Sequence, residues 1–240
     1  MPTLTQRYTL LEIVQQVCGE LGLSKPQIVI GNDDAQISQM LALVNRLGRD
    51  LARQFDWQWL IKEYTFTTVQ DQALYDFPAD WGRQIPQTEW DRSSHWPLVG
   101  PATSQQWQVY KSGVISQGPR LRFRIAGGGF EVFPAIGGYE LVFNYISSHW
   151  VVATDTSTSR EFLNDTDSCI FEDSLMVSGL KALWKAAKGL DASFDMSEFR
   201  ITLEQCKAQD KSAPVLSIAP QPRSFLIGMG NVIDGNYPAS

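Results

Sequence analysis

The sequence has few of the residues that build metal centres or disulfide frameworks. Its 240 residues include three cysteines and two histidines. Cys18, Cys169 and Cys206 are far apart and form no CxxC pair, so the sequence indicates neither a disulfide framework nor a cysteine zinc site. His95 and His149 lie in no HExxH motif and at no other helical metal spacing. We therefore expect buried, reduced thiols, no metal and no cofactor.

Long apolar runs and an excess of positive charge are also missing. No run approaches the ~18 consecutive apolar residues of a membrane span, and the polar start of the chain lacks a signal-peptide core. We therefore expect a chain without membrane contact that is soluble and intracellular when synthesised. The net charge of -6 argues against a protein that coats nucleic acid through a basic surface, although a local basic patch stays open.

Motifs that suggest catalysis or ion binding are incomplete. Asp91, Ser93 and His95 supply the residue types of a serine triad, but the sequence has no GxSxG elbow. The segment 164–168 lacks the glycine and the distal glutamate of a calcium loop, so capping of the next helix explains its aspartates better. The glycines at 127–129 are not followed by the Lys-Ser/Thr pair of a phosphate loop and fit a hairpin turn. We predict that the protein is not an enzyme.

Apolar residues recur at intervals of three and four at both ends of the chain, which predicts two helices before residue 60 and two after residue 160. In chain order, the four stripes are Leu10, Val14, Val17 and Leu21; Ile37, Leu41, Val44, Leu51 and Phe55; Phe171, Leu175, Leu180, Leu183 and Trp184; and Met196, Phe199, Leu203 and Cys206. Asp33 with Gln36 resembles a capping box before the second helix. The pattern predicts a helical bundle over residues 1–60 and 160–212.

The middle of the chain, residues 61–159, has the features of an antiparallel β domain. Apolar and polar residues alternate from Tyr64, which is typical of a strand. Four prolines between residues 76 and 104 predict loops and short edge strands. Glycine-rich turns separate three further strands, which predicts consecutive antiparallel hairpins in a meander; these strands are 121–125, 130–133 and 140–146. The fold class is therefore α+β, with the β region inserted into the bundle.

Arginines alternate with apolar residues along the first of these three strands. The alternation places Arg120, Arg122 and Arg124 on one face of the strand. Such a face could meet phosphates, or it could pair with Glu131 and Glu140 on neighbouring strands as a solvated sheet face. We favour the second interpretation.

Six of the eight tryptophans lie between residues 57 and 107. Indole rings are enriched where one protein surface meets another, so Trp90, Trp96 and Trp107 are candidate partner-binding residues. A tryptophan-packed core would explain the same residues, and the sequence leaves both readings open.

Residues 213–240 contain prolines and glycines that exclude a long helix and predict an extended C-terminal arm. Such an arm could span roughly 90 Å when fully extended. The apolar residues Phe225, Leu226 and Ile227 are candidate partner-binding residues, because a mobile arm becomes ordered when a partner buries them. The alternative is a disordered tail.

Several short motifs resemble those of tailed-phage head-to-tail adaptor proteins, and the chain is similar to the tail tubular A or gatekeeper adaptors of short-tailed phages. The motifs are Phe55-Asp56-Trp57-Gln58-Trp59-Leu60-Ile61-Lys62, Tyr75-Asp76-Phe77-Pro78-Ala79-Asp80-Trp81, Trp90-Asp91-Arg92, Trp96-Pro97-Leu98-Val99-Gly100-Pro101, Tyr145-Ile146-Ser147-Ser148-His149-Trp150, Asp165-Thr166-Asp167 and Lys188-Gly189-Leu190-Asp191.

The resemblance implies a structural virion protein without catalysis. It implies a ring, typically dodecameric, that joins the portal protein to a nozzle or another tail protein and continues the DNA channel. Genomic DNA would pass through the lumen without sequence-specific binding, and C-terminal segments would contact neighbouring subunits or the portal. The expected location is the head-tail junction of the virion, with the host cytoplasm as the place of assembly.

Two other functions stay open at this point. A glycan-binding or glycan-hydrolysing tail component would use Trp90, Trp96 or Trp107 as platforms for sugars. A host regulatory or scaffolding protein is the third reading.

Overall fold

The computed structural model describes residues 7–113 and 120–210, and these ranges contain five α-helices. In chain order they are α1 (Leu10–Leu21), α2 (Ala35–Gln54), α3 (Ser104–Lys111), α4 (Asp173–Ala187) and α5 (Ser193–Asp210). Helices α1, α2, α4 and α5 match the four apolar stripes. No helix within these ranges is long and apolar enough to cross a membrane.

Side-chain hydrogen bonds cap the starts of α1 and α2. Thr9 and Glu12 form a capping box at α1, with the backbone N–H of Thr9 donating to Glu12 Oε2 over 2.8 Å. The capping box predicted for Asp33 and Gln36 is wrong by one residue. Asp34 is the N-cap of α2, because its Oδ1 accepts from the backbone N–H of Gln36 over 2.8 Å.

Helix α4 lies at the centre of the helical packing, since α1, α2 and α5 all pack against it. Gly179 allows a close approach on α4, where an added Cβ would lie 2.8 Å from a methyl carbon of Leu47. Gly48 on α2 leaves the space that the ring of Trp150 fills, and that tryptophan is fully buried. The helices therefore share one core with a residue from the middle of the chain.

Eleven short strands form three antiparallel sheets in the described residues. They are β1 (Ile61–Thr67), β2 (Leu74–Asp76), β3 (Trp81–Gln84), β4 (Trp90–Asp91), β5 (Trp96–Pro97), β6 (Arg122–Ala126), β7 (Gly129–Phe133), β8 (Glu140–Ser147), β9 (Val151–Val152), β10 (Thr158–Ser159) and β11 (Ser168–Cys169). In the largest sheet, β8 pairs with β1 along one edge and with β3 and β4 along the other, while β5 pairs with β4. The other two sheets have the orders β2-β7-β6 and β10-β9-β11.

The predicted meander is wrong after its first hairpin. Strands β6 and β7 form an antiparallel hairpin, but β8 belongs to a different sheet and pairs over seven residues with β1. The loop after β7 is held by the segment after β1: Gly138 N–H donates to the carbonyl of Thr68, and Thr68 N–H donates to the carbonyl of Tyr139. In the predicted meander β8 would pair with β7, whereas in the structure it pairs with β1.

The sequence predicts strands and loops over residues 61–159, so helix α3 is an element that the prediction lacks. It begins with a capping box in which Thr103 N–H donates to Gln106 Oε1 over 3.0 Å and Gln106 N–H donates to Thr103 Oγ1 over 3.3 Å. The helix buries one large residue, Trp107.

The aspartates at 165 and 167 do not cap α4, so that prediction is wrong. Helix α4 follows Glu172, whose side chain makes no capping hydrogen bond. The carboxylate of Asp165 instead accepts from the backbone N–H groups of Val29 and Ile30, at 3.0 and 2.8 Å. The carbonyls of Asp165 and Asp167 accept from the first two amides of α1, so this loop closes the open end of a distant helix.

Two hydrophobic cores result from this arrangement. One lies among the helices and includes Trp150 and Ile146, and the other lies between the β sheets and includes Leu141, Phe143 and Tyr145. Strand β8 contributes to both cores. The α+β class is confirmed, whereas the division of the chain into domains stays a prediction.

Candidate interaction surfaces

The three tryptophans predicted to bind a partner lie in different environments. Trp96 is 38% exposed and has the guanidinium of Arg120 at 5.8 Å from its ring centroid. Trp90 is half-buried in β4. Trp107 has no exposed surface, so in this structure it is a core residue that offers a partner no contact area. Partner binding by Trp90 and Trp96 stays a prediction, and residues 225–227 lie outside the described residues.

Helix α3 lies over the arginine face of β6. The guanidinium of Arg124 is 4.7 Å from the ring centroid of Trp107, and that of Arg122 is 4.5 Å from the ring of Tyr110. Arg124 Nε also contacts Glu131 Oε2 at 2.5 Å. Cations stacked on aromatic rings and paired with a carboxylate are already satisfied. This face therefore does not form an open phosphate-binding surface.

Only one of the two predicted carboxylate partners, Glu131, pairs with an arginine of this face; Glu140 does not. Burial raises the pKa of Glu131, but hydrogen bonds from Arg124 and Lys111 outweigh that effect and lower the pKa overall. Glu140 pairs instead with Arg92, at 3.5 Å, because β8 lies in the other sheet. The pairing predicted for Glu131 is confirmed, and that for Glu140 is wrong.

A hydrogen-bond network around Asp80 joins β1, β8 and the start of β3. The carboxylate accepts from Lys62 Nζ at 2.6 Å, from the hydroxyl of Tyr145 at 2.7 Å and from Ser147 Oγ at 2.8 Å. Burial alone raises the pKa of Asp80, but these donors and the charge of Lys62 lower it to about 2. A general acid or base works best with a pKa near the operating pH. This network therefore has the character of a structural brace.

The residues with the composition of a serine triad form a turn. Asp91 is buried, and its Oδ1 accepts from the backbone N–H groups of Ser93 and Ser94 at 2.9 and 3.1 Å. The hydroxyl of Ser93 accepts from the backbone N–H of Glu140. Across residues 7–113 and 120–210, no group of three or more histidine, cysteine or acidic side chains could hold a metal ion.

All three cysteines are buried and free, as expected. Burial raises the pKa of Cys169 and of Cys206 to about 12, and the negative charge of Glu172 adds to the effect at Cys206. Thiols with such pKa values stay protonated near neutral pH and are poor nucleophiles.

A cleft of about 840 Å³ lies between α1, the start of α4 and the end of α5. Its floor is apolar and includes the buried rings of Trp57 and Phe171. The exposed rings of Tyr8 and Trp59 lie at its mouth. The lining also includes four carboxylates and one guanidinium, so we name it the acidic cleft; these residues are Glu20, Glu172, Asp173, Asp210 and Arg7. Four segments far apart in the chain form this cleft, so no local sequence pattern indicates it.

A second, smaller groove of about 130 Å³ has the opposite charge. It lies between α2 and β3 and is lined by four arginines, namely Arg49, Arg53, Arg83 and Arg160. Arg83 forms an ion pair with Asp56, and Arg49 lies 3.8 Å from Glu161. This is the kind of local basic patch that the acidic net charge left open.

The outer face of α5 carries highly exposed apolar side chains. Phe194 is 77% exposed and Ile201, two helical turns later, is 59% exposed. Leu190, just before the helix, is 54% exposed. A large exposed apolar side chain gains free energy when another protein covers it, so this face is a candidate contact surface.

Comparison with known proteins adds one match. The family model described as "SU10 adaptor protein" matches residues 8–214, which include all the helices and strands described above. No curated protein matches the chain.

Proposed function

Because the chain belongs to the SU10 adaptor protein family, we propose that it is a structural virion protein that joins the phage head to the tail. The observation that carries this proposal is the length of the match, which spans both hydrophobic cores. Membership supports a phage adaptor whose work is binding and not bond cleavage. A closer relation to the tail tubular A or gatekeeper adaptors stays a prediction.

The proposed partners are the portal protein on one side and a nozzle or another tail protein on the other. Copies of the chain would form a ring, for which a dodecamer is the expected size. A ring needs two different and complementary surfaces on each copy. The apolar outer face of α5 and the surface around Trp96 are the candidates for such contacts.

The ring would continue the channel through which genomic DNA leaves the head. The net charge of -6 supports this role, since an acidic protein repels the phosphate backbone and lets DNA pass without sequence-specific binding. The guanidiniums on β6 that could have held phosphates are occupied by rings and a carboxylate.

The first experiment mixes the purified protein with the cognate portal ring and counts added subunits in electron-microscopy class averages. We expect a stoichiometric second ring under the portal, because a portal that fixes the geometry lets each subunit gain from several contacts at once. Bare portals under several salt conditions would contradict the proposal.

A further inference from the structure

The acidic cleft has the size and lining of a peptide-binding site. Its volume of about 840 Å³ falls within the roughly 300–1,000 Å³ of ligand pockets. Trp57 and Phe171 form a buried apolar floor, whereas Trp59 and Tyr8 at the mouth keep 42% and 41% of their surface exposed. The guanidinium of Arg7 lies 5.8 Å from the ring centroid of Trp59, and the remaining exposed surface of both rings would gain free energy from an apolar occupant.

The charge of the cleft indicates the charge that an occupant should carry. Glu20 already pairs with Lys181 at 3.0 Å. The carboxylates of Asp173 and Asp210 accept backbone N–H groups, from Tyr8 and Gln58, at 2.9 Å each. Arg7 is the one cation of the lining and interacts with Asp173, so the carboxylates of Glu172, Asp173 and Asp210 together keep a negative charge at the rim. A cationic segment therefore fits there.

The chain itself supplies a segment of this chemistry. Residues 211–233 begin directly after Asp210, and the hydrogen bond from Gln58 holds that residue at the cleft. The segment contains Lys211 and Arg223 and no acidic residue. Its most apolar part is Phe225-Leu226-Ile227.

The segment of the same molecule is a better candidate occupant than the segment of a second copy, because it is long enough and is covalently attached beside the cleft. The residues from 211 to 224 can span up to roughly 46 Å, which is enough to reach any part of the cleft. A short covalent connection gives an effective concentration in the millimolar range, far above that of a second copy in dilute solution.

We propose that residues 211–233 dock in the acidic cleft of the same molecule, with Phe225, Leu226 and Ile227 on the apolar floor and Arg223 at the acidic rim. Docking covers Trp59 and Tyr8 and keeps the apolar segment from water until a partner displaces it. The proposal concerns the isolated chain, so it stands or falls separately from the head-to-tail role.

The test uses the full chain with photoreactive benzoylphenylalanine in place of Phe225. The purified protein is irradiated in dilute solution, and the cross-links are mapped by mass spectrometry. We expect cross-links within one molecule to the mouth and floor of the cleft, including Trp59, Tyr8 and Val177. The matched control carries the same probe at Tyr237, outside the docked segment, and should give few cleft cross-links.

Two substitutions separate specific docking from random encounters. Arg223→Glu should lower cleft cross-linking from position 225 by about twofold to fivefold, because it replaces an attraction by a repulsion. Arg200→Glu, on the exposed face of α5 away from the cleft lining, should leave it unchanged. Equal effects of the two substitutions on cleft cross-linking would show that Arg223 does not bind the acidic rim.

Three results would overturn the proposal itself. Cross-links from position 225 that join two molecules would assign the cleft to a second copy. Cross-links that avoid the cleft, or none, would leave it without this occupant. Cleft cross-links from a probe at Leu4 in place of those from position 225 would assign the cleft to residues 1–6.

Discussion

Gly48 shows how a single missing side chain determines the position of a buried ring. An added Cβ at this position of α2 would overlap the ring of Trp150, which has no exposed surface. We predict that Gly48→Ala lowers the free energy of unfolding by roughly 1–3 kcal/mol, because overpacking outweighs the better helix propensity of alanine. Urea unfolding followed by tryptophan fluorescence measures the effect.

Gly19 on α1 provides the matched control. There an added Cβ meets only the flexible end of Lys25, with Cε at 3.3 Å, and the residue is exposed. Gly19→Ala should leave stability unchanged or raise it by up to about 1 kcal/mol. Similar effects at both glycines would contradict the steric explanation.

Asp80 predicts a dependence of stability on pH. Its pKa is lowered to about 2 in the folded chain from an ordinary value of 3.8, so the stability it adds is present above about pH 4 and is lost as the pH falls towards 2. We expect Asp80→Asn to cost about 1–2 kcal/mol near neutral pH, since the brace to Lys62, Tyr145 and Ser147 is weakened.

Urea unfolding at a series of pH values compares the variant with the wild type. The difference in unfolding free energy should shrink between about pH 4 and about pH 2. Asp76→Asn is the control, because that aspartate is exposed on β2 and should have little effect on stability. A constant difference across the series would rule out the charged carboxylate as the source of the effect.

At the scale of the element, α3 shows which of two roles Trp107 has, since the sequence allowed either a core residue or a surface contact. Trp107 joins α3 to the β sheets and is fully buried, whereas Trp96 is 38% exposed. We predict that Trp107→Ala lowers the unfolding free energy by roughly 3–5 kcal/mol. Trp96→Ala should change it by less than about 1 kcal/mol. Chemical unfolding measures both, and equal losses would show that Trp96 is also a core residue.

The helices were predictable from sequence, and the β connectivity was not. The stripes of α1, α2, α4 and α5 each repeat within one element, so local spacing is sufficient to detect them. The partner of β8 is β1, from which it is separated by more than seventy residues. Period-two patterns show that a segment is a strand but not which strand it pairs with.

At the scale of the whole molecule, the outer face of α5 should determine assembly without affecting folding. Ile201→Asp changes an apolar side chain that is 59% exposed, so the free energy of unfolding should stay within about 0.5 kcal/mol of the wild type. The fraction of portals that carry a second ring in electron microscopy should fall by about tenfold or more, because a charge is costly to bury in an apolar contact.

Leu163→Asp is the matched control for this surface. Leu163 is also 59% exposed, but it lies on the loop between β10 and β11 and not on α5. We expect this variant to keep both its stability and its ring on the portal. Loss of the ring in both variants, or in neither, would contradict a specific role for α5.

By itself, the sequence determined the helical ends, the strand-rich middle, the buried thiols and the resemblance to phage adaptors. Each of these depends on local spacing, on composition or on the order of short motifs. The tertiary structure alone decided that β8 joins two cores, that α3 covers the arginine face, and that Asp165 and Asp167 hold the start of α1. It also decided where the acidic cleft lies. These features are contacts between segments far apart in the chain, and the free energy of such contacts depends on how all the segments pack together.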